Sequence, residues 1–289
     1  MEALSTNLAY RHTLRFRLRG ASLVLLSSIY HRLYDREQDF ATPRVHIFAL
    51  HHVLPDEEAL FRDFLQQICR THTTISYLEA VKRIQHGPID RPYVTFSFDD
   101  GVSSCLSAAR ILDEFGASAC FFVVPTFVGA IGANAQKYSA ALGLPLMSFM
   151  SWDHLEQLKL TKHEIGAHTM THKNLALCSD QELADEVGHC RETLIERLGE
   201  SLHFAWPFGR QSNFSPRAHF HVIKAGFFSC ASGMRGCYRN PMPEALHLLW
   251  RESVPAYQGT QINLFFMQHT IRNLTNGILS WPAPNHEDF

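Results

Sequence analysis

Short, continuous apolar blocks recur along this chain, separated by stretches whose apolar positions fall three and four residues apart. Val45 to Leu50, Tyr93 to Phe98, Ala119 to Val124 and Leu202 to Trp206 have strand length and are rich in β-branched and aromatic residues, so each predicts a buried strand. Phe227 to Ala231 and His247 to Val254 extend the series, and Glu164 to His168 reads as a strand end. Between these blocks Leu60 to Arg70 predicts a helix. Leu106, Ala109, Leu112 and Phe115 mark a second, with Gly116 where a C-terminal cap belongs. Trp152 to Leu160 starts at Ser151. Ser179 and Glu182 form a capping box ahead of Leu183, Val187, Leu194 and Leu198, and Ser215-Pro216 supplies a cap and a first-turn proline. Strands alternating with helices predict a parallel sheet, either open and doubly wound or closed as a (β/α) barrel. In both, chemistry gathers at the carboxyl ends of the strands.

No internal repeat, low-complexity tract or Pro/Gly/Ser linker divides the chain, so a single α/β domain is expected over residues 41–258. A helical extension over residues 1–40 precedes it, and a C-terminal helix with a polar, proline-containing tail from Trp281 to Phe289 occupies residues 259–289. Arg11, Arg15, Arg17 and Arg19 precede the apolar run Ala21 to Tyr30, which suggests a targeting segment. A secretory signal is disfavoured, because Ser22, Ser27 and Ser28 interrupt the run and Tyr30-His31-Arg32 stands where small cleavage-site residues belong. The run is also far short of the ~20 apolar residues that span a bilayer. A helix packed on the domain is the expectation, with peripheral contact to a membrane surface as the alternative.

Composition narrows the class without choosing the activity. The 289 residues are 46% hydrophobic and 19% charged, with a formal net charge of −2, which gives no electrostatic reason to bind nucleic acid. Seven irregularly spaced cysteines without a CxxC pair fit a reducing, cytoplasmic compartment, and Cys105, Cys120, Cys190 and Cys230 read as small buried hydrophobes. Eighteen histidines raise the prospect of a metal.

Two adjacent carboxylates, Asp99 and Asp100, end the strand Tyr93 to Phe98. Buried together they repel, and an unpaired buried charge costs several kcal/mol or shifts its pKa. Asp100 as an ordinary helix N-cap is one resolution. A bound cation is the other, with one carboxylate as ligand and its neighbour as general base toward water. His168-Thr169-Met170-Thr171-His172 supplies imidazoles at i and i+4, which share one face of a helical turn and can reach one ion. Asp100, His168 and His172 then form a three-ligand set that leaves room for water and substrate.

Thr95-Phe96-Ser97-Phe98-Asp99-Asp100-Gly101 and His168-Thr169-Met170-Thr171-His172 resemble the first and second motifs of the NodB-like polysaccharide deacetylases of carbohydrate esterase family four. Ala205-Trp206-Pro207-Phe208-Gly209 is similar to the third, and Leu50-His51-His52-Val53-Leu54-Pro55 to an upstream histidine segment, so the likeness spans His46 to Val254. The resemblance implies a distorted (β/α) barrel, Asp99 as general base, and Asp100, His168 and His172 as ligands of a divalent metal. Zinc is the first expectation, with cobalt, nickel or manganese suited to the same donors. It further implies an oxyanion-stabilising N–H at Phe208, with Trp206 and Pro207 on the substrate side. Trp206 either stacks on a sugar face or belongs to the core.

Two departures stand out. Ala205 replaces the arginine that orients the base, with Arg210 close by, and the late leucine-histidine motif that supplies the general acid is not recognisable. His51 is the first candidate acid, then His247 and His269, while Asp153, Glu164 and Arg251 are further candidates to line the site. The implied reaction is metal-dependent removal of the N-acetyl group from an acetamido sugar in a polysaccharide, oligosaccharide or glycolipid, releasing acetate. The alternatives are a glycan-binding homologue without catalysis and a metal-dependent amidase of small amides. Oligomeric state is not legible in the sequence.

Overall fold

In the computed structural model, residues 4–6, 14–244 and 248–273 are described, so His247 and the segment Trp281 to Phe289 lie outside the described residues. Helices α1 (Leu14–Leu33) and α2 (Arg36–Ala41) lead into β1 (Arg44–Leu50), α3 (Glu58–Thr71), β2 (Thr73–Thr74), α4 (Tyr77–His86) and β3 (Pro92–Phe98). Then come α5 (Cys105–Glu114), β4 (Ala119–Val123), α6 (Gly132–Ala141), α7 (Trp152–Leu160) and β5 (Glu164–Ala167). A long helix α8 follows as an α segment (Asp180–Leu183), a π-helical segment (Ala184–His189) and a second α segment (Cys190–Leu198). The chain ends through β6 (His203–Ala205), α9 (Pro216–Lys224), β7 (Ser229–Ala231), β8 (Glu252–Ser253) and α10 (Gly259–Asn273).

Every strand pair is parallel, in the order β7-β6-β5-β4-β3-β1-β8, with β2 on the first half of β3. The segment around β8 closes the ring. At its start Leu249 bridges Ala231 of β7, and three residues later Glu252 and Ser253 pair with Phe48 and Ala49 of β1. The result is a distorted (β/α) barrel, the closed form of the two architectures that strand-helix alternation allows.

Period-two alternation sorts the side chains. Phe48, Leu50, Val94, Phe96, Phe98, Phe121 and Phe204 pack outward against the helices. Val45, Ile47, Tyr93, Cys120, Phe122, Ala205 and Ala231 form the interior cluster, which also contains Tyr77 and Val81 of α4. The interior is tight enough that a Cβ on Gly166 would lie 2.5 Å from the Phe122 ring, so only glycine fits that position of β5.

Local signals set the helix ends. Ser179 Oγ accepts the Glu182 N–H while Glu182 Oε2 accepts the Ser179 N–H at 2.9 Å, the capping box that heads α8. Ser151 caps α7 through a box with His154, and the Ser215 hydroxyl accepts the Ala218 N–H to cap α9, with Pro216 in the first turn. All seven cysteines are free thiols, and Cys105, Cys120, Cys190 and Cys230 are buried. Helix α1 packs with its inner side on α10.

Candidate active site

Asp99 follows Tyr93, Thr95 and Ser97 on the inward-facing side of β3, so its carboxylate is directed into the barrel. It is 4% exposed and would be costly to bury alone. Arg251, 1% exposed and next to β8, meets it with both terminal nitrogens, at 2.7 Å to Oδ1 and 2.8 Å to Oδ2. The guanidinium is itself fixed, because Nε donates to the Ser232 carbonyl at 2.7 Å and Nη1 to Ser97 Oγ at 3.2 Å. Burial opposes ionisation of Asp99, but the Arg251 charge, aided by His168 and the hydrogen bonds, outweighs it and holds the carboxyl below its ordinary range.

Asp100 turns away from Asp99 because its backbone is left-handed, at φ 74°. Its Oδ1 lies 3.5 Å from His168 Nε2 and 3.4 Å from His172 Nε2, and that oxygen is buried without a hydrogen-bond partner among the described residues. The three donor atoms lie within 4.8 Å of one another. His168 Nδ1 is 2.8 Å from the Ala205 carbonyl, which accepts its proton and leaves Nε2 as the free donor nitrogen. Burial, then the charge of His168, lowers the pKa of His172 to about 4, so its ring is neutral and able to ligate at pH 7. For His168 burial also lowers the pKa, but neighbouring Asp100 and Asp99 raise it on balance. A negative field that holds a proton there also favours a cation. An orphaned carboxylate oxygen facing two imidazole nitrogens fits a divalent metal.

The expected helical turn at His168 to His172 is not formed. Thr169 and His172 are left-handed, at φ 64° and 61°, and the segment is an irregular loop after β5 that converges both imidazoles by folding back. Such conformations cost about 1–3 kcal/mol each and persist where surrounding structure enforces them. Here the enforcement comes from Glu186, buried in the π-helical segment of α8. Its carboxylate accepts the Thr171 N–H at 2.8 Å and the Thr171 hydroxyl, and its carbonyl accepts the Met170 N–H at 2.9 Å. Thr126 Oγ1 donates to the Met170 carbonyl at 2.8 Å, and Thr169 Oγ1 accepts the His172 N–H at 3.0 Å.

A cleft of about 250 Å³ opens over these groups, lined by His51, Asp99, Asp100, His168, His172 and Arg251 among others. Phe208 and Gly209 form part of its wall. Phe208 is left-handed at φ 64°, half exposed, with its ring edge-on to His172, and its N–H has no acceptor among the described residues. Gly209 is required beside it, since a Cβ there would fall 2.4 Å from the Gly233 nitrogen. A neighbouring cleft of about 280 Å³ shares His51, Asp100 and Leu142 and adds Leu144, Pro255 and Tyr257.

Several expected residues lie elsewhere. Trp206 is a core residue, 3% exposed and edge-on to Phe204 and Phe214, and Pro207 is buried beside it; neither lines the cleft. Glu164 is at the opposite end of the barrel, accepting the Leu78 N–H and facing His203 Nε2 at 3.3 Å. Asp153 is exposed in the first turn of α7, and Arg210 is exposed outside the cleft. His269 stands on α10 against Tyr30. Arg251, a candidate to line the site, does line the cleft, but its pairing with Asp99 was not legible, and Glu186 was not singled out. Their roles depend on contacts 152 and 15 positions apart, which no local spacing encodes.

Comparison with known proteins bears on the fold that carries this site. A family model described as polysaccharide deacetylase matches residues 86–223. Among solved structures the chain is similar to the Streptococcus pyogenes deacetylase PplD in complex with acetate, at 17% identity and TM-score 0.62 over 80% of this chain and 99% of that one. It is similar to IcaB from Ammonifex degensii, at 20% identity and TM-score 0.60 over 78% and 98%. It also matches the BpsB deacetylase domain from Bordetella bronchiseptica, at 16% identity and TM-score 0.60 over 73% and 96%. At these identities the likeness is one of fold, the NodB-like (β/α) barrel.

Proposed function

From the site geometry and the match of residues 86–223 to a family model described as polysaccharide deacetylase, we propose that this chain hydrolyses the N-acetyl group of an acetamido sugar within a glycan or glycolipid. The observation that carries this reading is the division of labour between adjacent carboxylates: Asp99 is tied to Arg251, while Asp100 faces His168 and His172. Those three side chains would hold a divalent cation, zinc being the first candidate. When bound, such a cation supplies Lewis acidity toward the amide carbonyl and toward water.

The chain's own residues account for the remaining steps. Asp99, kept ionised by Arg251, accepts the proton of the attacking water. The Phe208 N–H stabilises the negative charge that develops on the amide oxygen, a main-chain role for which a phenylalanine side chain is no obstacle. His51 is exposed at the carboxyl end of β1 and lines both clefts, which makes it the candidate to protonate the leaving amine. The arginine missing at Ala205 is matched by Arg251, which reaches the base from the other side of the ring.

The test is acetate release from N-acetylglucosamine oligomers by metal-loaded protein. Asp99→Asn is expected to abolish release while leaving metal content intact, and unchanged turnover would refute the assignment.

A further inference from the structure

Helix α1 is apolar on two sides, and only one is covered among the described residues. Ser27 is buried, Tyr30 lies edge-on to Phe265 of α10 at 5.1 Å, and His31 Nδ1 is 3.0 Å from Gln268 Oε1. Facing outward, Leu14, Leu18, Leu25, Ile29 and Leu33 are 72%, 58%, 63%, 47% and 68% exposed. Their spacing of four or seven residues places them along one stripe, which Leu26 widens. Scattered exposed leucines are ordinary, but a continuous stripe marks a contact surface. The same helix contains Arg15, Arg17, Arg19 and Arg32 and no acidic residue, in a chain whose net charge is −2.

We propose that the outer face of α1 seats on the surface of an anionic phospholipid bilayer, with the leucine stripe in the interface and the exposed Arg19 and Arg32 at headgroup level. Charge complementarity selects this occupant. A second copy of α1 on the same face would bring two sets of arginines together with no acidic residue on either helix, whereas anionic headgroups neutralise them. With four arginines in twenty residues α1 lies along the interface, and no helix among the described residues is long and apolar enough to cross a membrane.

The experiment is co-sedimentation of the full chain with vesicles of phosphatidylcholine alone and of phosphatidylcholine with about one quarter phosphatidylglycerol. Binding to the anionic vesicles, weakening as NaCl rises from about 50 mM to about 500 mM, is expected. Leu18→Glu/Leu25→Glu/Ile29→Glu should weaken it by at least about tenfold, and Arg19→Gln/Arg32→Gln by a similar factor, since each arginine near the surface contributes roughly a fivefold effect. Thermal melts establish that both variants are folded. Acetate release from soluble oligosaccharide should be unchanged in both, which separates this proposal from the catalytic one. Absence of sedimentation with either vesicle overturns it, as does undiminished binding by the triple variant. A dimer in sedimentation equilibrium that the triple variant dissolves, without vesicle binding, also overturns it and assigns the face to self-association.

Discussion

Arg251→Met removes one half of a buried ion pair and leaves the other half in place. In the native chain both carboxylate oxygens of Asp99 are bonded to Arg251, and each partner is almost inaccessible to water. Methionine fills much of the aliphatic volume, so the dominant effect is the uncompensated carboxylate. Breaking a buried pair from one side costs about 3–5 kcal/mol, far more than the ~1 kcal/mol of an exposed pair. For a chain of this size that corresponds to a melting temperature lower by on the order of 10 °C. Asp99→Asn in the same background removes the second charge, so Arg251→Met/Asp99→Asn should recover a large part of the loss while remaining inactive. Urea or thermal denaturation of wild type, both single variants and the double variant gives the coupling energy, and acetate release gives activity. Arg251→Lys retains a charge but loses the two-pronged geometry, and should fall between wild type and Arg251→Met in both assays. A stability loss below about 1 kcal/mol for Arg251→Met, or a double variant no more stable than that single variant, would refute the reasoning.

Three further outcomes test other parts of the structure. Chelation by EDTA should lower the melting temperature of metal-loaded protein and added zinc should restore it, since a ligand at about a thousand times its dissociation constant contributes about 4 kcal/mol; His168→Ala should eliminate the zinc-dependent increment. Glu186→Ala, which releases the Thr171 N–H and hydroxyl from the irregular loop, should weaken metal affinity about 10- to 100-fold in competition with a chromophoric chelator. At the far end of the barrel, burial followed by the Arg44 charge lowers the pKa of His72 from 6.5 to about 3. The unfolded imidazole therefore gains its proton first as pH falls, and stability that is full above about pH 6.5 should decline toward pH 3, by on the order of a few kcal/mol. Urea midpoints from pH 7 to pH 4 measure the decline, and His72→Gln should flatten it.

The sequence carries periodicity well and long-range convergence poorly, and each site residue falls on one side of that line for a physical reason. Asp99 could be placed because strand alternation from Tyr93 forces its direction, and Asp100 because two unpaired neighbouring carboxylates need a partner that no adjacent residue supplies. The pairing of His168 with His172 was legible from their types and their place after a strand, but the backbone that joins them was not. Helical spacing is the cheapest way to align residues four apart, and it gave the wrong local structure here because Thr126 and Glu186 enforce left-handed residues from outside the segment. Trp206 follows the same logic in reverse. Its aromatic ring suited a sugar face or the core equally, and alternation after Phe204 and the packing of Phe214 draw the indole into the core.

The absence of an arginine at Ala205 had implied that Asp99 is held differently, and the barrel's closure shows how. Ala205 belongs to the interior cluster, and its carbonyl fixes the His168 tautomer. Its small side chain leaves the interior to a guanidinium that arrives from the segment joining β7 to β1. Because Leu249 pairs with β7 and Glu252 with β1, Arg251 lies on the closing segment of the ring. It reaches Asp99 while its Nε is bonded to the Ser232 carbonyl, just after β7. The orientation of the Asp99 carboxylate is thus coupled to closure of the barrel. A change that loosens the β7–β8 junction, such as enlargement of Gly233 against Gly209, acts on Asp99 without touching it.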